Sequence, residues 1–251
     1  MSELASIAGG SEFMKISVVI PAFNEEKRIA ACLKSVFNQT VPASEVLVID
    51  NCSTDNTAKI ARALGAIVIP EPKKGVTFAR NAGFNAARGE IIARTDADTI
   101  VPKDWIEKIG IEFEKDSGLV AISGPAIFGI DMLTPLVRII VFEANKKIFG
   151  HYGLFGPNLA IKKSAWEKIK DDVCMDDDKV HEDTDLAIHI GKIGEVGYAR
   201  DLKVRTSARR LRTSPSSLLV EYLVKWADMI AFHKKYRISS FASSIKSKMS
   251  S

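Results

Sequence analysis

"GEIIARTDADTIVPKDW" spans residues 89–105, where an apolar run, Ile91, Ile92 and Ala93, stops at two aspartates separated by one alanine, Asp96 and Asp98. The run is short and β-branched, as suits a buried strand. Burying an unpaired carboxylate is costly, so a strand that ends on two acids calls for something cationic beside them: a metal, a basic side chain or only water.

Outward from this stretch the same alternation recurs. KISVVI (15–20), EVLVID (45–50), AIVIP (66–70), EIIAR (90–94) and LVAIS (119–123) read as strands that are apolar on both faces. Between them, 25–39, 55–64, 77–88 and 103–115 place apolar residues at three- and four-residue intervals, the helical period. Strand and helix in alternation imply βαβ units and an α/β fold, a mostly parallel sheet with helices on both faces. In such sheets ligands sit beyond the carboxyl ends of the strands. The polar clusters fall at those ends: PAFNEE (21–26), DNCSTDN (50–56) and TDAD (95–98).

The second half is less regular. Residues 153–169, GLFGPNLAIKKSAWEKI, give a glycine-rich loop, a short apolar run and a small helix opened by Ser164. Residues 175–194 give an acidic loop and then a helix beginning near Asp183, with Gly194 after its end. A hairpin or edge strand is expected over 195–213. With no repeat and no low-complexity linker, this half is expected to pack on the edge of the first sheet.

At 251 residues and 46% hydrophobic the chain can bury a full core. Residues 1–13, MSELASIAGGSEF, are small and polar ahead of Met14 and are read as an added leader outside the fold. No secretory pattern and no apolar run of about 18 residues is present, so the protein is expected inside the cell. Cys32, Cys52 and Cys174 are odd in number, widely spaced and without CxxC, against a disulfide framework or a zinc site. The net charge of +4 hides a surplus of nine positive charges within 200–251, a field attractive to anions.

Two carboxylates in a turn after a strand can share one divalent cation, Mg2+ or Mn2+, and leave positions open for phosphate oxygens. Asp50 ends its strand where a carboxylate can accept from a nucleobase N–H; Asp55 is a helix cap. Asn24 or Glu25 is either the cap of the first helix or a ligand contact, and Arg80 is either a solvated charge or a reader of phosphate or base. Asp176, Asp177 and Asp178 read as a solvated loop, and His181 as a salt-bridge partner ahead of a metal ligand. Arg205, Arg209, Arg210 and Arg212 suit bidentate phosphate binding or a solvated edge.

PAFNEE, VIDNCSTDNT, ARNAGFNAARGEIIARTDAD, GPNLAIKKSAW and HEDTDLAIHI, in this order and spacing, resemble the inverting GT-A glycosyltransferases of family 2 over residues 14–206. The resemblance implies a Rossmann-like GT-A fold with a nucleotide-sugar-binding half (14–123), an acceptor-binding half (124–212) and an amphipathic basic C-terminal segment (213–251). It implies that Pro21, Ala22, Asn24, Glu25 and Asp50 hold nucleobase and ribose. Asp96, Ala97 and Asp98 then engage ribose and, mainly through Asp98, a Mn2+ or Mg2+ ion on the diphosphate. Asp183 is implied as general base with Glu182 as its competitor, and Gly156, Pro157 and Asn158 face donor sugar and acceptor. The Gln-x-x-Arg-Trp signature of processive members has no match, which favours transfer of one sugar. A nucleotidyltransferase and a non-enzymatic anion- or lipid-binding module are the rival readings.

Residues 217–237 and 126–150 are apolar on a broad face and end in lysines, as in helices lying in a lipid interface. Packing of the two on each other or across a homodimer is the alternative. The expected partners are a nucleotide-diphosphate sugar, a lipid-linked acceptor such as a polyprenyl phosphate or glycolipid, and the cytoplasmic membrane face; nucleic acid is not expected.

Overall fold

The structure is a computed structural model and describes residues 13–129, 138–177 and 180–209. The elements in chain order are β1 (Ile16–Ala22), α1 (Ile29–Phe37), β2 (Glu45–Asp50), α2 (Thr57–Ala63), β3 (Ile67–Pro70), α3 (Val76–Ala86), β4 (Ile91–Arg94), α4 (Trp105–Lys115), β5 (Leu119–Ser123) and β6 (Ala126–Ile127). A π-helical stretch, Arg138–Ala144, then runs into α5 (Asn145–Phe149). There follow β7 (Leu159–Lys162), α6 (Lys163–Ile169), α7 (Glu182–Ile190), β8 (Glu195–Tyr198) and β9 (Val204–Arg205).

Seven strands form one sheet in the order β3-β2-β1-β4-β7-β5-β8. All run parallel except β7, which is antiparallel to both neighbours, β4 and β5. Alternate side chains feed two cores. Val18, Ile20, Val48 and Ala93 pack with Leu33, Ile106 and Ile109 of α1 and α4 on one face. Val19, Leu47, Ile49 and Ile92 pack with Phe84, Trp166 and Leu186 of α3, α6 and α7 on the other. Gly83 lets α3 lie close to the sheet, since a Cβ there would stand 2.3 Å from Val19 Cγ1.

Several expectations are corrected. The second half extends the sheet's edge only through β8: β7 is let into its middle, because Leu159, Ala160 and Ile161 are apolar enough to be buried on both faces. Strand β3 is not buried on both faces, since it is an edge strand with Ile67 half in solvent. Of the hairpin and the edge strand expected over 195–213, the edge strand is found: β8 closes the sheet beside β5, while β9 pairs with β6 in a separate two-stranded sheet. Helix α7 ends at Ile190, ahead of Gly191 rather than Gly194.

Strand order reverses between β1 and β4. The chain builds β1, β2 and β3 outward in one direction and then returns to lay β4 on the other side of β1. The crevice beyond the carboxyl ends of β1 and β4 is therefore the topological switch point, where open α/β sheets bind ligands. PAFNEE and TDAD flank it.

Candidate active site

The βα loops after β1 and β2 are zipped together. Asn24 N–H donates to Ser53 Oγ (3.0 Å), Thr54 N–H to Asn24 Oδ1 (2.8 Å), Glu25 N–H to Thr57 Oγ1 (2.7 Å) and Glu26 N–H to Asp55 Oδ2 (3.1 Å). Both loops turn through a left-handed residue, Asn24 at φ 53° and Cys52 at φ 64°, a region that non-glycine residues rarely adopt. Pro21 and Ala22 close β1 beside Ile49 and Asp50 of β2. Asp50 is half-buried and accepts from Ser53 N–H at 3.3 Å. Asp55 does not occupy the cap position of α2, which is Asn56, but accepts from Thr57 N–H in its first turn at 2.9 Å. Neither Asn24 nor Glu25 caps α1 through its side chain.

Beyond β4 stand the two acids that end the opening stretch. Asp96 Oδ1 accepts from Arg94 Nη2 at 3.3 Å, and Asp98 Oδ1 accepts from Thr206 Oγ1 at 3.4 Å. Ala97 between them is buried. Burial, with the charges of Asp96 and Glu25, pushes the Asp98 carboxyl up to about 6, against the pull of Arg209 and Arg28. A carboxylate pair under this repulsion fits a hard divalent cation, since an added positive charge relieves the strain. Among the described residues no three His, Cys, Asp or Glu side chains converge as a self-sufficient cage. Asp96 and Asp98 would therefore share such an ion with oxygens of a ligand.

Glu25 is buried and paired twice, with Arg28 Nη1 at 3.3 Å and with Arg209 Nη2. Arg209 thus meets a carboxylate of the site, while Arg205 is exposed on β9 and Arg210 and Arg212 lie outside the described residues. So do residues 130–137 and 217–237, and with them most of the broad apolar faces; among the described residues no helix is long and apolar enough to cross a membrane.

Under the acids lies a buried ionic floor. Glu182, the first residue of α7, receives Arg94 Nη1 on one carboxylate oxygen and Arg80 Nη1 on the other at 2.8 Å. The same Arg80 nitrogen donates to the Glu182 carbonyl at 2.6 Å. Burial opposes ionisation of Glu182, but Arg94 and Arg80 outweigh it and hold the carboxyl below its usual range. Next to it, Asp183 is half-buried and accepts from Gly156 N–H at 3.2 Å. Burial and the neighbouring Glu182 push its carboxyl above the usual range, against His181, Arg94 and the Gly156 N–H.

This geometry corrects four assignments. Arg80 is neither solvated nor open to a ligand: it is fully buried, with its guanidinium 5.9 Å from the Trp166 ring centroid. Glu182 is engaged by two guanidinium groups and is a poor proton acceptor. Asn158 does not face the crevice: it is buried, accepting from Trp105 Nε1 (2.9 Å) and donating to the Pro125 and Leu202 carbonyls. Asp177 is no solvated loop residue, since its carboxylate takes the N–H and hydroxyl of Thr77 in the first turn of α3; Asp178 lies outside the described residues. Gly156 stands beside Asp183 through its N–H, and the Pro157 carbonyl accepts from Thr95 Oγ1 at 2.9 Å.

Arg94 and Thr206 are site residues that the sequence reading missed. Arg94 carried a signal, as the one charge in a strand otherwise apolar on both faces, where an unpaired guanidinium would be costly. Thr206 carried none.

A parallel sheet with one antiparallel strand let into it, and acids gathered at the switch point, is the architecture of the GT-A class of glycosyltransferases. The model of the family described as Glycosyl transferase family 2 matches residues 17–166, more than half of the chain, and the chain belongs to that family. It is similar to glycosyltransferase AglE of Haloferax volcanii, 36% identical over 45% of this chain and 40% of the relative. The probable glycosyltransferase YdaM of Bacillus subtilis is 30% identical over 73% of this chain and 48% of the relative. The chain thus spans less than half the length of these curated relatives. Among solved structures, the mannosyltransferase PcManGT of Pyrobaculum calidifontis, in complex with GDP-Man and Mn2+, superposes with a TM-score of 0.65 at 22% identity, over 85% of this chain and 64% of that one. The glucosyl-3-phosphoglycerate synthase of Mycobacterium tuberculosis with Mn2+, UDP and its product gives 0.60 at 18%, over 87% and 79%. At these identities the likeness fixes the fold alone. Neither the nucleotidyltransferase nor the non-enzymatic module draws support from this family membership.

Proposed function

We propose that the protein moves one sugar from a nucleotide-diphosphate sugar, GDP- or UDP-linked, to a hydroxyl or phosphate acceptor with inversion at the anomeric carbon. The observation that carries this reading is Arg94 between the two acid groups: it pairs with Asp96 at 3.3 Å and lies close enough to Asp183 of α7 to act on its charge. Asp50, Pro21, Ala22 and the zipped loops bearing Asn24 and Glu25 line the base and ribose end. Asp96 and Asp98 would hold Mn2+ or Mg2+, which when bound neutralises charge developing on the departing diphosphate. Asp183 accepts the proton of an acceptor hydroxyl as its oxygen bonds to the anomeric carbon and the bond to the diphosphate oxygen breaks. Glu182 does not compete for that proton, because its charge is held by Arg80 and Arg94. Arg209, half-exposed beside Glu25, and Arg28 on the same carboxylate are basic residues near Asp98 that suit a diphosphate.

A lipid-linked acceptor at the cytoplasmic membrane face is supported by the positive surplus of residues 200–251 and by exposed Ile139 and Ile148 near Lys146 and Lys147. Flotation with anionic and neutral vesicles tests it; no difference between the two would remove the membrane from the proposal.

The primary test is calorimetry of UDP and GDP with and without Mn2+, followed by turnover of UDP-glucose, UDP-GlcNAc and GDP-mannose. Binding of one diphosphate that needs the metal is the expected result. Absence of binding to either nucleotide overturns the reading.

A further inference from the structure

We propose that Arg94 is a positioning residue that couples the metal-side carboxylate to the catalytic base, one buried guanidinium setting the geometry of both. The proposal rests on the reading of Asp96 and Asp183 given above. It starts from an apparent extravagance: Arg94 closes a strand whose other residues are all apolar and buried, and is itself only 3% exposed. An apolar residue of the same length would avoid the desolvation of a charge, and replacing buried ion pairs by hydrophobic groups is often neutral or stabilising. Stability alone therefore does not account for the arginine.

Its contacts do. Nη2 donates to Asp96 Oδ1 at 3.3 Å and Nη1 donates to Glu182, so the planar fork spans from the loop after β4 to the first turn of α7. These two carboxylates lie 86 residues apart in sequence, one in each half of the molecule. Glu182 cannot swing, because Arg80 holds its other oxygen and its carbonyl. Asp183 follows Glu182 directly, and its carboxylate is bonded to Gly156 N–H. Gly156 in turn packs on the same guanidinium: a Cβ there would stand 2.8 Å from Arg94 Nη2. Arg94 thus reaches Asp183 by two routes, through the backbone of α7 and through the loop at Gly156. A fork of fixed geometry can do this where a lysine, a single charge point on a flexible stem, cannot hold both carboxylates. Arg94 Nε is buried without a hydrogen-bond partner, a penalty tolerated while the two terminal nitrogens are placed.

The test compares R94K and R94M with wild type by three readouts. These are thermal stability, calorimetric affinity for the nucleoside diphosphate with Mn2+, and the pH profile of donor turnover. R94K keeps the charge and is expected to fold, with metal-dependent nucleotide affinity down about tenfold, as for other residues that orient metal ligands. Its kcat is expected to fall on the order of 100-fold, the scale of a misplacement of about 1 Å, and the acid limb of kcat should move to higher pH. A role confined to stability would lower the melting temperature and leave affinity, kcat and the acid limb of the folded fraction unchanged; that result in R94K overturns the proposal. If R94M does not fold, R94K decides. Should wild type itself bind no nucleoside diphosphate with Mn2+, the functional reading fails. Normal wild-type binding with an indifferent R94K fails only the coupling.

Discussion

Asp183 sits among groups that disagree about its charge: burial and Glu182 favour the protonated carboxyl, while Gly156 N–H, His181 and Arg94 favour the carboxylate. The balance lies above the ordinary value of about 3.9, which suits a group that must take a proton near neutral pH. The acid limb of kcat should therefore fall above the ordinary carboxylate range, and D183N should bind donor yet lose turnover by at least about 100-fold. Turnover by D183N within a few-fold of wild type would move the base elsewhere. Linkage gives the sign for stability. The folded state holds this proton more tightly than the unfolded chain, so the contribution is fully present below about pH 3.9 and is lost as pH rises through the folded value. D183N should accordingly gain stability relative to wild type between acid and neutral pH, as measured by denaturant midpoints at both. Asp98 is the other raised acid, at about 6. Removing it in D98A should abolish the metal-dependent part of nucleotide affinity while the metal-independent part survives, a difference read by calorimetry with and without Mn2+.

Helix α3 shows how an element can be anchored from far along the chain. Its first turn is capped by Asp177, a hundred residues on, through the Thr77 N–H and hydroxyl, while Gly75 N–H is held by Asn51 Oδ1 at 2.8 Å. Loss of an N-cap costs about 1 kcal/mol, so D177A should lower the melting temperature by roughly 2–4 °C for a chain of this size. Calorimetric scans check this, and an unchanged midpoint would mean that the cap adds nothing. The elements themselves were largely legible. Strands β2 and β5 have the bounds read from β-branched runs, and the helices between them follow the 3.6-residue period. What was not legible was non-local. LAIK at 159–162 looks the same at an edge or at the centre of a sheet, because a short apolar run does not say which strands it will lie between. The acids at strand ends were legible because turn position is local. The engagement of Glu182 by arginines 88 and 102 residues away was not, and neither was the burial of Asn158, whose partners Trp105, Pro125 and Leu202 are scattered along the chain.

At the scale of the whole molecule, β7 joins the two parts of the main sheet. Strands β1 to β4 and the later strands β5 and β8 are not hydrogen-bonded to each other; β7 is bonded to β4 on one side and to β5 on the other. Removing it would open two unpaired edges in the middle of a buried sheet, where unsatisfied backbone groups are costly. The ionic floor crosses the same seam, joining Arg94 at the end of β4 to Glu182 of α7. The two halves are therefore expected to melt together, in one transition whose calorimetric and van't Hoff enthalpies agree. Ligand binding should displace that transition as a unit. A nucleoside diphosphate with Mn2+ at a hundred times its Kd adds about 2.7 kcal/mol, or roughly 5–10 °C at about 2–4 °C per kcal/mol for a chain of this size. Two transitions, only one of them moved by nucleotide, would show that β7 does not weld the halves and that the site belongs to the first half alone.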